Sequence, residues 1–92
     1  MNTNRKLTPR QALKLMDQAR RDRIKDAIYA TYNSVGGDVW GEKTPSDAIF
    51  VDVVCDNIRY FRKGTKCTNE DVDIFWALSA RQRRILCLEV GP

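Results

Sequence analysis

The stretch Thr44 to Gly64, TPSDAIFVDVVCDNIRYFRKG, decides the fold. Stepping at helical intervals places Ala48, Val51, Val54, Cys55, Ile58 and Phe61 on one stripe and Asp52, Asp56, Arg59 and Lys63 on the opposite one. A β-hairpin turning at Asp56-Asn57 is the competing reading, because Ile, Val, Phe and Tyr favour strands. Alternation by two, however, puts Asp52 and Val54 on the same face, and the run opens with a helix start. Thr44 can cap, Pro45 suits the first helical position and Asp47 closes a capping box. Gly64, after Arg59, Arg62 and Lys63, supplies the stop. The spacing therefore predicts a helix over residues 45–63, with one face in the core.

Upstream, Thr8-Pro9-Arg10-Gln11 repeats the same start logic. Apolar positions then run Ala12, Leu15, Met16, Ala19, followed by Ile24, Ala27, Ile28, Thr31, Val35, and the two sets are out of phase by one residue. Either one helix over 9–35, about 40 Å long, shows its halves to different partners, or the chain breaks near Asp22. The single helix is the expectation. Gly36-Gly37 ends it, and Trp40 caps the edge of the core from the loop that follows.

Downstream, Thr68-Asn69-Glu70-Asp71 is a third start, with Cys67 and Val72 as a hydrophobic staple and a helix over 69–78 behind it. Ser79-Ala80-Arg81-Gln82 is a fourth, opening RRILCLEV over about 80–89, where the apolar run is too short for periodicity to separate helix from strand. The expected fold is all-α: a flexible arm over 1–7, then one domain over 8–92 built as a bundle of three to four helices. Its expected core is Ile28, Val51, Val54, Cys55, Ile58, Phe61, Val72, Phe75, Trp76 and Ile85.

A chain of 92 residues buries only about 60 to 65% of its extended-chain surface. It leaves no room for a cofactor domain, and no apolar run reaches the length of a membrane span. The N-terminus lacks the apolar core of a signal peptide, so a cytoplasmic protein is expected. Cys55, Cys67 and Cys87 have no C-x-x-C spacing and read as buried, reduced thiols. Histidine is absent, which excludes Ser-His-Asp and Cys-His catalysis and leaves a poor ligand set for zinc. Gly36-Gly37 follows a helix and lacks the Lys-Ser or Lys-Thr ending of a phosphate loop. Asp52 and Asp56, four apart beside Arg59, read as a solvated stripe. Neither an enzyme nor a cofactor is expected.

The net charge of +4 conceals a segregation. Residues 1–25 carry eight Lys or Arg against two Asp; residues 26–80 carry five against nine acids; residues 81–92 carry three against one. Basic ends of this kind concentrate polyanions, or they dock on the acidic middle of their own chain. In the first helix Arg10, Lys14, Arg21 and Lys25 line one side over about 22 Å, with Arg20 and Arg23 on the flanks, a spacing that can follow a phosphate backbone. RYFRKGTK, from Arg59 to Lys66, mixes cations with Tyr60, which can stack on a base, although its cations also complement a helix C-terminus. The third cluster is Arg81, Arg83 and Arg84.

LSARQRRILCL, Leu78 to Leu88, resembles the opening helix of the DNA-binding helix-turn-helix in sigma-factor region 4 and in LuxR-type regulators. In those families a turn and two more helices follow, and the last reads the major groove. The likeness covers 11 of 92 residues and implies a capped helix, with no base-contacting residue to carry over.

Two functions fit these clusters. One is a non-catalytic regulator that engages nucleic acid, or a nucleic-acid-bearing complex, through the basic N-terminal helix. The other is a protein-binding inhibitor or adaptor of a host complex, of the kind encoded by phages and other mobile elements, docking on an acidic protein surface.

Overall fold

The computed structural model describes residues 7–35 and 46–90. Five helices follow one another among these residues: α1 (Pro9–Lys14), α2 (Gln18–Val35), α3 (Asp47–Phe61), α4 (Asn69–Ala77) and α5 (Ala80–Val90). The last element is helical throughout, so the choice between helix and strand over 80–89 falls to helix. The Gly36-Gly37 stop and Trp40 lie outside the described residues; the helix expected over 45–63 is instead Asp47–Phe61, because the extended Ser46, and not Thr44, is its N-cap.

The helix starts follow capping chemistry. Thr8 Oγ1 accepts from the Gln11 N–H, and Gln11 Oε1 accepts from the Thr8 N–H at 2.9 Å, a closed capping box with Pro9 behind the cap. Thr68 and Asp71 close a second box, at 3.0 Å in both directions. Ser46 caps α3 by accepting from the Ile49 N–H, one residue before Asp47. Ser79 does the same for the Gln82 N–H at the start of α5. Between α3 and α4 the chain turns at Gly64, whose φ of 88° is open to glycine and strained for other residues.

The expected continuous helix over 9–35 is instead two helices, broken at Leu15–Asp17 rather than near Asp22. Asp17 is the cause. Its Oδ1 accepts from the Arg20 N–H at 2.8 Å while its carbonyl accepts from the Arg21 N–H, so it caps α2. The carbonyl of Leu15, past the end of α1, accepts from the Asp17 N–H at 3.0 Å and from the Arg20 guanidinium at 2.9 Å. The one-residue phase shift in the apolar pattern is this break.

The core forms where α2 packs against α3, α4 and α5, with α1 lying on α4. Ile24, Ala27 and Ile28 of α2 meet Phe50, Val54 and Ile58 of α3, Val72, Ile74 and Phe75 of α4, and Leu86 and Cys87 of α5. Tyr32 meets Phe50 edge to face, with ring centroids 5.3 Å apart. Thr31 is fully buried, and its hydroxyl donates to the Ala27 carbonyl. Leu7 also packs against this core.

The centre of the α3 stripe is rotated from the expected one. Phe50, Val54 and Ile58 are fully buried, Val51, Cys55 and Phe61 are half-buried on the flanks, and Ala48 is exposed. Trp76 and Ile85 were expected inside and are 42% and 40% exposed. On α4 the inward face is Asp71, Val72, Ile74, Phe75 and Leu78, and Trp76 stands a third of a turn beyond Phe75. On α5 Leu86 and Cys87 take the core positions, which leaves Ile85 outside.

Candidate functional site

The basic N-terminal segment closes onto the acidic elements of its own chain. Arg20 Nε lies 2.9 Å from Asp71 Oδ1 and its Nη2 3.3 Å from Glu70, while Arg23 Nε lies 2.8 Å from Asp71 Oδ2. Lys25 Nζ is 2.7 Å from Glu89 Oε1, and Arg21 is 3.8 Å from the same oxygen. The side chain of Asp71 is 1% exposed. Both its oxygens are committed, to two guanidinium groups and to the Thr68 N–H. Burial pushes its carboxyl up, but the hydrogen bonds from Arg23, the Thr68 N–H and Arg20 outweigh it and hold the group well below the usual carboxylate range. The hydrogen bond to Asp71 likewise raises Arg23.

This arrangement sorts the cations by what the fold leaves over. Arg20 and Arg23 tie α2 to α4, and Arg21 and Lys25 reach across to α5 at the surface. Arg59 pairs with Asp73 at 2.8 Å, Arg62 donates to Asn69 and to the Cys67 carbonyl, and Arg84 pairs with Asp47 at 3.1 Å. Arg83 donates to the carbonyls of Trp76 and Leu78, capping the end of α4, and stacks 5.1 Å from the Trp76 ring. Arg10, Lys14, Lys63, Lys66 and Arg81 close no ion pair among the described residues. Lys63 Nζ stands 5.3 Å from the centroid of Tyr60, itself 65% exposed.

A groove of about 300 Å³ lies between α3 and α5. It is lined by the half-buried Val51 and Cys55, by Ala80, by Trp76 with Arg83, and at its rim by the exposed Asp52 and Asp56. Both rim carboxylates are exposed and carry no cation among the described residues. Sequence spacing gives no access to this groove, because its residues come from three helices. Asp71 was legible only as a capping residue of Thr68-x-x-Asp71; its partners lie 48 and 51 residues away.

No protein family, curated protein or solved structure matches this chain. Among the described residues no three Asp, Glu, Cys or His side chains gather in a way that could hold a metal ion, and no helix is long and apolar enough to cross a membrane. The chemistry on offer is that of contact: exposed cations beside an aromatic ring at one place, and a half-apolar groove with an acidic rim at another.

Proposed function

We propose that the protein is a small non-catalytic regulator that works in the cytoplasm by occupancy and engages nucleic acid, or a complex that carries it. The observation behind this reading is the Tyr60 site, an exposed ring with the Lys63 ammonium over it and Lys66 close by in sequence, both cations free of ion pairs among the described residues. An aromatic face offers a stacking platform for a base, and flanking lysines neutralise phosphates. Arg10 and Lys14 on α1, with the surface-paired Arg21 and Lys25, extend the cationic supply. Arg20 and Arg23 act in the fold.

A second reading, a protein-binding inhibitor or adaptor of a host complex, is favoured by a different observation. Trp76 is exposed beside a groove whose rim carboxylates close no ion pair among the described residues, and large aromatics of this kind anchor protein interfaces.

The test is fluorescence anisotropy of labelled duplex DNA and single-stranded RNA at about 50 and 200 mM salt, because phosphate neutralisation predicts a steep loss of affinity over that range. Lys63→Glu with Lys66→Glu, and separately Arg10→Glu with Lys14→Glu, should weaken binding while leaving thermal melts unchanged. Charge reversal at Arg20 or Arg23 is unsuitable, since it places a carboxylate against Asp71. Absence of binding at the lower salt overturns the nucleic-acid reading and leaves the protein partner.

A further inference from the structure

The groove between α3 and α5 is built from elements that are tied together. Arg84 of α5 pairs with Asp47 of α3 at 3.1 Å, which joins the two helices at the first turn of α3. Arg83 is engaged within the chain: its guanidinium donates to the Trp76 and Leu78 carbonyls and lies 5.1 Å from the Trp76 ring centroid, so it holds the ring at the groove. The ring itself stays 42% exposed. From α3 the half-buried Val51 and Cys55 give the groove an apolar side, and Asp52 and Asp56, one helical turn apart, give it an acidic rim. Those two carboxylates close no ion pair among the described residues, whereas Asp47 on the same helix has Arg84. Ile49, 52% exposed, stands on the same side of α3 as Asp52 and Asp56. An apolar side chain and two carboxylates therefore share about 10 Å of one helix face, next to a fixed indole.

We propose that this groove docks a cationic segment of a partner protein, one in which lysine or arginine stands next to apolar side chains. The inference rests on the protein-partner reading and gives that partner its charge. A guanidinium or ammonium set between Asp52 and Asp56 forms charge-assisted hydrogen bonds with both, and its methylene stem covers Val51 and Cys55. An apolar neighbour in the same segment then buries the open part of the Trp76 ring or of Ile49. The groove volume of about 300 Å³ lies at the lower limit of ligand clefts and takes one or two side chains. A free small molecule needs polar groups set to orient it, and the guanidinium that lines the groove is already committed to two carbonyls. Nucleic acid is repelled by the rim carboxylates. The partner of this groove is thus opposite in sign to a polyanion held at Lys63 and Lys66, and the two surfaces are separable by mutation.

The test uses the full chain, isotope-labelled for amide correlation spectra, and two synthetic peptides of equal length. One alternates leucine with lysine and arginine; the other alternates leucine with glutamate. The basic peptide should bind and shift the amide signals of Asp52 and Asp56 and the indole N–H of Trp76. In fluorescence anisotropy, Asp52→Lys with Asp56→Lys should weaken that binding at least about tenfold, and Trp76→Ala should weaken it several-fold, with helical circular dichroism retained in both. Lys63→Glu with Lys66→Glu should leave it within about twofold of the wild type. A basic peptide that binds without moving the groove signals, or with an affinity that the double lysine variant does not change, overturns the proposal. Groove shifts from the glutamate peptide alone overturn it but leave the protein-partner reading standing. No groove shift from either peptide at about 1 mM overturns it and also takes the groove out of that reading.

Discussion

Arg20 Nε and Asp71 Oδ1 lie 2.9 Å apart across 51 residues of sequence, and the same guanidinium donates to the Leu15 carbonyl. One side chain therefore joins the end of α1, the start of α2 and the start of α4. The charge segregation of the chain is a folding device at this point. The functional reading follows from the cations that this device leaves unused.

Asp71→Ala should lower stability by about 3 kcal/mol, because it removes the acceptor shared by Arg20 and Arg23 together with one half of a capping box. Urea denaturation followed by circular dichroism measures the loss. Asp71→Asn, which can still accept from the Thr68 N–H, should fall between Asp71→Ala and the wild type. Near-native stability for Asp71→Ala would contradict the role given to the pair.

The same carboxylate sets a pH dependence. Its folded-state value lies below the ordinary 3.8, so the unfolded chain binds the proton more readily. The stabilisation is fully present above about pH 5 and is lost as pH falls through the unfolded value toward the folded one. Glu89, lowered chiefly by its hydrogen bond with Lys25, titrates in the same direction but is common to wild type and variant. The stability difference between wild type and Asp71→Ala should therefore shrink below about pH 4. A difference that stays constant to about pH 2 would contradict the assignment.

The rotated core makes a paired prediction. Phe50→Ala should cost about 3–5 kcal/mol, as it empties a fully buried site that also faces Tyr32. Trp76→Ala should cost less than about 1 kcal/mol, since the ring is exposed and gives up mainly its stacking on Arg83. Val54→Asp should abolish the folded state by placing an unpaired carboxylate in the core. Equal melting shifts for Phe50→Ala and Trp76→Ala would mean that the inward faces of α3 and α4 are misassigned.

Helix class and most helix starts were legible because capping is local: Thr8 with Gln11, Thr68 with Asp71, and Ser79 with Gln82 each act within three residues. The break at Asp17 was audible only as a phase shift, since Gln18-Ala19-Arg20 are good helix formers and the break is held by Arg20 through contacts on α4. Trp76 and Ile85 misled because each adjoins a buried neighbour, Phe75 or Leu86, and adjacent helix positions point about 100° apart. Four cations of the basic segment, Arg20, Arg21, Arg23 and Lys25, meet acids on α4 and α5 that are remote in sequence, so their pairing was not legible. The groove is lined from helices that no spacing rule connects.

The central claim is that the basic segment is held by the acidic one, and a double-mutant cycle on Arg20→Ala and Asp71→Ala in urea tests it most directly. A coupling of about 1–2 kcal/mol is expected, with the double variant less destabilised than the two single losses added together. Additive losses, with coupling below about 0.3 kcal/mol, would contradict it and return Arg20 to the cations available for a partner.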